Sequence, residues 1–97
     1  MTRQVVFRPQ AEDDVLEVRH WYEARREGLG VEFGLAFDEL VTRVVANPLA
    51  FQRAYGETRR AVLARLPYAI YFRVVGEEIV VLALHGRQHQ SHWQARS

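Results

Sequence analysis

The chain has 97 residues, 48% of them hydrophobic and 26% charged, and no cysteine, so it holds one small domain over residues 1–97, too apolar to be disordered and without disulfide or thiolate chemistry. No apolar run approaches the ~18 residues of a membrane span and no leader pattern opens the chain, so no membrane partner and a cytoplasmic location are expected. The formal net charge of +1 is split: Met1 to Pro48 carries 6 Arg against 9 acidic residues, a net −3, and Leu49 to Ser97 carries 7 Arg against 3 Glu, a net +4, which points the second half toward an anionic partner.

Gln4 to Arg8 reads as a short strand around Val5, Val6 and Phe7. Pro9 ends it and suits the first turn of a helix. Glu12, Asp13 and Asp14 follow where the helix dipole favours anions. Ala11, Val15, Val18 and Tyr22 then mark one apolar helical face through about Arg26. Gly28 and Gly30 interrupt the pattern. A second helix presents Phe33, Phe37, Leu40 and Val44, with Ala36, Val41 and Val45 beside them, and stops at Asn47-Pro48. The short break predicts an antiparallel helical hairpin.

Leu49 to Gly56 reads as a connecting loop. Three strands are expected after it, at Thr58 to Leu66, Tyr68 to Val75 and Glu78 to His85, all rich in β-branched and aromatic residues. Gly76-Glu77 fits a two-residue hairpin turn, which sets Val75 opposite Glu78 and Phe72 opposite Val81. One hairpin face then carries Ile70, Phe72, Val74, Ile79, Val81 and Ala83, the natural core. The other carries Tyr71, Arg73, Val80, Leu82 and Leu84. That second face is too apolar for open water, and a small two-layer domain has helices for one side only. A partner, a second copy or the chain's own ends must cover it.

The ordered set of local patterns resembles the RelE/ParE toxin superfamily. It comprises Val5-Val6-Phe7-Arg8-Pro9-Gln10-Ala11, Trp21-Tyr22, Gly28-Leu29-Gly30 before Phe33, and Asn47-Pro48. Arg59-Arg60, Leu66-Pro67-Tyr68, Ile70-Tyr71-Phe72-Arg73-Val74, His85-Gly86-Arg87 and the terminal Trp93-Gln94-Ala95-Arg96 follow. The likeness spans Val5 to Arg96 and lies nearer the ParE-type, plasmid-stabilisation branch. It implies an α+β fold: an N-terminal strand and a helical hairpin packed on an antiparallel sheet. It also implies the toxin of a type II toxin–antitoxin pair, neutralised by a cognate antitoxin, with no cofactor. The expected assembly is a homodimer or a heterotetramer with the antitoxin.

Three modes of action are compatible with that resemblance. A ParE-like toxin inhibits DNA gyrase by binding. A RelE-like toxin cuts messenger RNA on the ribosome. A degenerate member binds antitoxin and poisons nothing. Ribonuclease chemistry needs groups that activate the 2′-hydroxyl, stabilise the phosphorane charge and protonate the leaving oxygen. By resemblance the catalytic candidates are Arg60, Arg87, His92 and Trp93, the last as a stacking aromatic. Contacts to target or antitoxin fall to Arg59, Arg65, Tyr71, Arg73 and His89. The RelE pattern has an arginine after the aromatic that opens the middle strand, whereas here Tyr68 is followed by Ala69. That departure favours the gyrase reading. His85, His89 and His92 have no cysteine or carboxylate companion up to Ser97, so no metal site is read from them.

Overall fold

A computed structural model describes residues 3–86. The elements are β1 (Gln4–Phe7), α1 (Pro9–Arg25), α2 (Leu29–Ala46), a 3-10 turn (Pro48–Ala50), β2 (Arg53–Tyr55), β3 (Thr58–Val62), β4 (Tyr68–Val75) and β5 (Glu78–Gly86). The five strands form one sheet in the order β1-β5-β4-β3-β2. All neighbours run antiparallel except β1, which pairs parallel with β5. The helical hairpin lies on one face of this sheet, as expected of the α+β class.

Pro9 opens α1 from an extended Arg8, whose N–H continues the sheet by donating to Val81 O at 3.0 Å. The turn between the helices is held by one side chain. Glu23 accepts the N–H of Gly30 on Oε1 at 2.9 Å and that of Gly28 on Oε2 at 3.1 Å. These are donors that a helix start leaves without a partner. Gly28 has a φ of 93°, which a side chain resists. A Cβ at Gly30 would stand 2.8 Å from Glu23 Oε1 and 3.1 Å from Arg19 O, so the close approach of the helices favours glycine there.

The core is the one drawn from the helical spacing. Phe33, Phe37, Leu40 and Val44 of α2 and Ala11 and Val18 of α1 pack against Ile70, Phe72, Ile79 and Val81 of the sheet. Tyr68 joins them, its ring 6.0 Å from Tyr22 and 6.3 Å from Phe33. Burial pushes the Tyr68 hydroxyl up to about 12, with the Tyr22 and Glu17 charges acting in the same direction. Trp21 and Tyr22 are half-buried, and Arg25 stacks 4.2 Å from the Trp21 ring centroid.

Three expectations need correction. The loop Leu49 to Gly56 contains the short edge strand β2, whose three exposed residues carry no alternation to betray it. The strand from Thr58 ends at Val62 rather than Leu66, because Arg65 turns the chain with a φ of 67°. The third concerns the β4–β5 pairing. Val75 does face Glu78 and Phe72 does face Val81, but the register shifts between Tyr71 and Phe72. Tyr71 pairs with Ala83 and Ile70 with Leu84, leaving Leu82 as the extra residue. Beyond that bulge the alternation of β5 inverts. Leu84 is a core residue, and Ala83 belongs to the opposite face.

Candidate functional site

The face of the sheet away from the helices is the candidate site. Residues directly opposite across neighbouring strands share a face, and this gives its composition. Arg60 of β3 lies opposite Tyr71 of β4, which lies opposite Ala83 of β5. One rung along, Val62, Ala69 and His85 form the next row. On the other side of the bulge, Arg73 lies opposite Val80, and Val80 opposite Val6 of β1. The surface is therefore an apolar band of Val6, Val80, Ala83 and Val62, with arginine and aromatic groups set into it. The exposed residues in it include Val6, Val62, Arg60 and Arg73.

Of the sequence-predicted residues, Arg60, Tyr71 and Arg73 come together here. The Tyr71 and His85 rings are 5.6 Å apart between centroids. Arg73 donates from Nε to Thr58 Oγ1 at 3.1 Å, so its guanidinium is oriented across the β3–β4 pair. Arg60 is exposed and makes no ion pair among the described residues. No carboxylate interrupts the rows from Thr58 to Val62 or from Tyr68 to Val75, so the cationic character of this surface is not offset within those strands.

Arg59 and Arg65 lie elsewhere. Arg59 is opposite the core residue Phe72, on the helix side, and donates from Nη1 to Phe51 O at 2.7 Å and to Leu49 O at 3.5 Å. It ties the 3-10 turn to the sheet, a structural task for a charge-assisted bond. Arg65 stands on the β3–β4 turn, beside α2. Arg87, His89, His92 and Trp93 lie outside the described residues. Among the described residues no group of three or more His, Asp or Glu side chains converges as a metal site would require.

One residue next to this face escapes the sequence reading. Asp14 is 4% exposed, and its Oδ2 accepts the N–H of Leu84 at 3.1 Å. The bond joins the second turn of α1 to β5 just past the bulge. It holds the stretch where β5 changes face, which places Ala83 and His85 beside Tyr71 and turns Leu84 inward. A signal existed in the spacing: Ala11, Asp14, Val15, Val18 and Tyr22 follow one helical stripe, so Asp14 lies on the apolar face. Its neighbours Glu12 and Asp13 are exposed, so the dipole argument fits them and not Asp14.

The ring of β4 that opens the middle strand, Tyr68, points into the core, and Ala69 points out between Val62 and His85. At 4% exposed, the Ala69 methyl group is covered, and it separates Val62 from His85 on this side of the sheet.

Comparison with known proteins agrees with this architecture. The family model described as the ParE toxin of the type II toxin–antitoxin system parDE matches residues 5–90. The fold is similar to that in a chromosomal ParDE toxin–antitoxin system from P. aeruginosa, with a TM-score of 0.77 and 22% identity over 88% of this chain and 96% of that one. It is also similar to a chain of the RelBE2 toxin–antitoxin complex from Mycobacterium tuberculosis, with a TM-score of 0.65 and 15% identity over 90% and 100%. A chain of the RelB–RelE antitoxin–toxin complex from Methanococcus jannaschii gives 0.53 and 17% over 91% and 96%. No curated protein matches the sequence.

Proposed function

The chain belongs to the ParE toxin family of type II toxin–antitoxin systems, and on that premise we propose that it is a binding poison of DNA gyrase, held inactive in the cytoplasm by a cognate antitoxin. The observation that carries the choice of target is Ala69. Phosphoryl transfer to the 2′-hydroxyl develops negative charge that a ribonuclease must neutralise with fixed cations. Between Val62 and His85 the sheet carries Ala69, a covered methyl group, at the position where the RelE pattern has arginine. A band of this kind suits burial against protein, with Arg60 and Arg73 for acidic side chains of the partner.

The antitoxin is expected to lie on the same surface. The related structures come from a ParDE toxin–antitoxin system and from two toxin–antitoxin complexes, and an exposed apolar sheet face with arginines is what an acidic, extended segment would cover. The test is reconstitution with purified gyrase and relaxed plasmid. Supercoiling is expected to fall with added toxin and to recover when antitoxin is added. Full supercoiling at saturating toxin, together with cleavage of ribosome-bound messenger RNA, would replace this reading with the RelE-like one. In that case Arg60, Arg87, His92 and Trp93 become the catalytic set.

A further inference from the structure

The outer side of α2 carries a second apolar surface, separate from the open sheet face. Val31 and Leu35 are 54% and 65% exposed. Beside Leu35 a groove of about 310 Å³ lies between α2 and the β3–β4 turn, with Ala36, Leu40 and Leu66 in its wall. Its charges are ordered along the helix. Glu32 and Glu39 come first, Arg43 follows, and Arg65 faces them from the turn. Unlike the sheet face, this surface carries two acids and two arginines. Glu32 reaches Arg26 at 3.2 Å through a pair whose side chains are about two-thirds exposed. Glu39 and Arg65 form no ion pair among the described residues.

We propose that this face binds a second copy of the chain, α2 packed antiparallel on α2. Glu32, Ala36, Glu39 and Arg43 are spaced four, three and four residues apart, so they fall on one line down the helix. A two-fold axis reverses the order of that line. With the axis level with the middle of the stripe, Glu32 of each copy meets Arg43 of the other, and Ala36 meets Glu39. The small alanine side chains let the helices approach at the centre. Parallel packing would set like charges side by side. The exposed Leu35 flanks the stripe and leaves water against the partner helix, which supplies the apolar gain. A partner of one charge sign would meet repulsion from half of this surface, whereas a second copy sets Glu32 against Arg43 at both ends of the stripe and Glu39 against the uncharged Ala36.

The inference does not rest on the target of the toxin, because self-association is read on the purified chain alone. The full chain is measured by sedimentation equilibrium, with Leu35→Glu as the disrupting variant and Arg43→Glu and Glu32→Arg/Arg43→Glu as a charge-swap pair. A concentration-dependent dimer is expected. Leu35→Glu and Arg43→Glu each weaken it by about tenfold or more, and the double charge swap restores it. Since the chain has no cysteine, Glu39→Cys gives a disulfide-linked dimer under mild oxidation with no competing thiol, whereas Glu77→Cys on the distant hairpin turn does not. A monomer at the highest soluble concentration overturns the proposal. So does a dimer that Leu35→Glu leaves intact. A monomer whose Leu35→Glu variant loses antitoxin binding overturns it as well, and assigns the groove to the antitoxin.

Discussion

Replacing Asp14 by alanine should loosen the junction between α1 and the last strand more than any other single change to a charged residue. The carboxylate is buried, and its Oδ2 accepts the Leu84 N–H at 3.1 Å. Truncation leaves that N–H inside the protein without this acceptor, which costs about 1–3 kcal/mol. For a domain of this size, a central value of about 2 kcal/mol corresponds to a fall in Tm of roughly 8–16 °C. Asp14→Asn keeps an amide oxygen able to accept the same bond and should lose less than Asp14→Ala. Urea unfolding supplies the free energies, and hydrogen exchange at the Leu84 amide reports the local event. The reasoning fails if Asp14→Ala unfolds within about 0.5 kcal/mol of wild type, the range of an ordinary surface substitution, with Leu84 as protected as before.

Other outcomes follow from the same geometry. The N–H groups of Gly28 and Gly30 hold Glu23 below its usual carboxylate range. Its contribution is therefore present above the unperturbed value of 4.5 and is lost as pH falls through the lower folded value; the Tm gap between wild type and Glu23→Gln should close on acidification, and a gap independent of pH would contradict this. Tyr68 is shifted the other way, to about 12, so its contribution is complete below 10.0 and is lost as pH rises toward about 12. Tyr68→Phe should flatten the alkaline limb of the stability profile, and an unchanged limb would show that Tyr68 does not cause it. Gly30→Ala forces its new Cβ against Glu23 and Arg19 O and should destabilise by about 1–3 kcal/mol in urea unfolding. On the open face, Arg60→Glu should weaken antitoxin binding by about tenfold at low salt with Tm unchanged, and equal affinity by calorimetry would remove Arg60 from the interface.

Much of this structure is written in residue spacing. The α2 stripe of Phe33, Phe37, Leu40 and Val44 forms the helix side of the core because a 3.6-residue period gathers these four side chains on one face. The hairpin register follows from Gly76, whose φ of 60° suits the first position of a Gly-X turn. What was not legible has local causes. The bulge at Leu82 sits in the run Ile79 to Leu84, where every residue is apolar and no alternation marks the extra one. Ala83 and Leu84 therefore exchange faces without a sign in the sequence. Strand β2 is three residues at a sheet edge, paired on one side only, so nothing in Arg53-Ala54-Tyr55 needs to be buried. Arg59 and Arg60 are adjacent and chemically identical, yet strand alternation sends one to carbonyl oxygens under the sheet and the other to the open face. Without the β3–β4 register their roles could not be separated. Arg60, Tyr71 and Arg73 were nameable in advance, whereas Asp14 and the α2 groove depended on contacts between distant parts of the chain.

A gyrase poison and a ribonuclease differ first in which synthesis they stop in a cell. Pulse-labelling of DNA and protein synthesis, followed separately after the chain is induced without its antitoxin, measures that. DNA synthesis is expected to stop first while translation continues and messages stay intact. A prompt arrest of translation with cleaved messages would rule out the gyrase reading and give this sheet face a nuclease role despite Ala69.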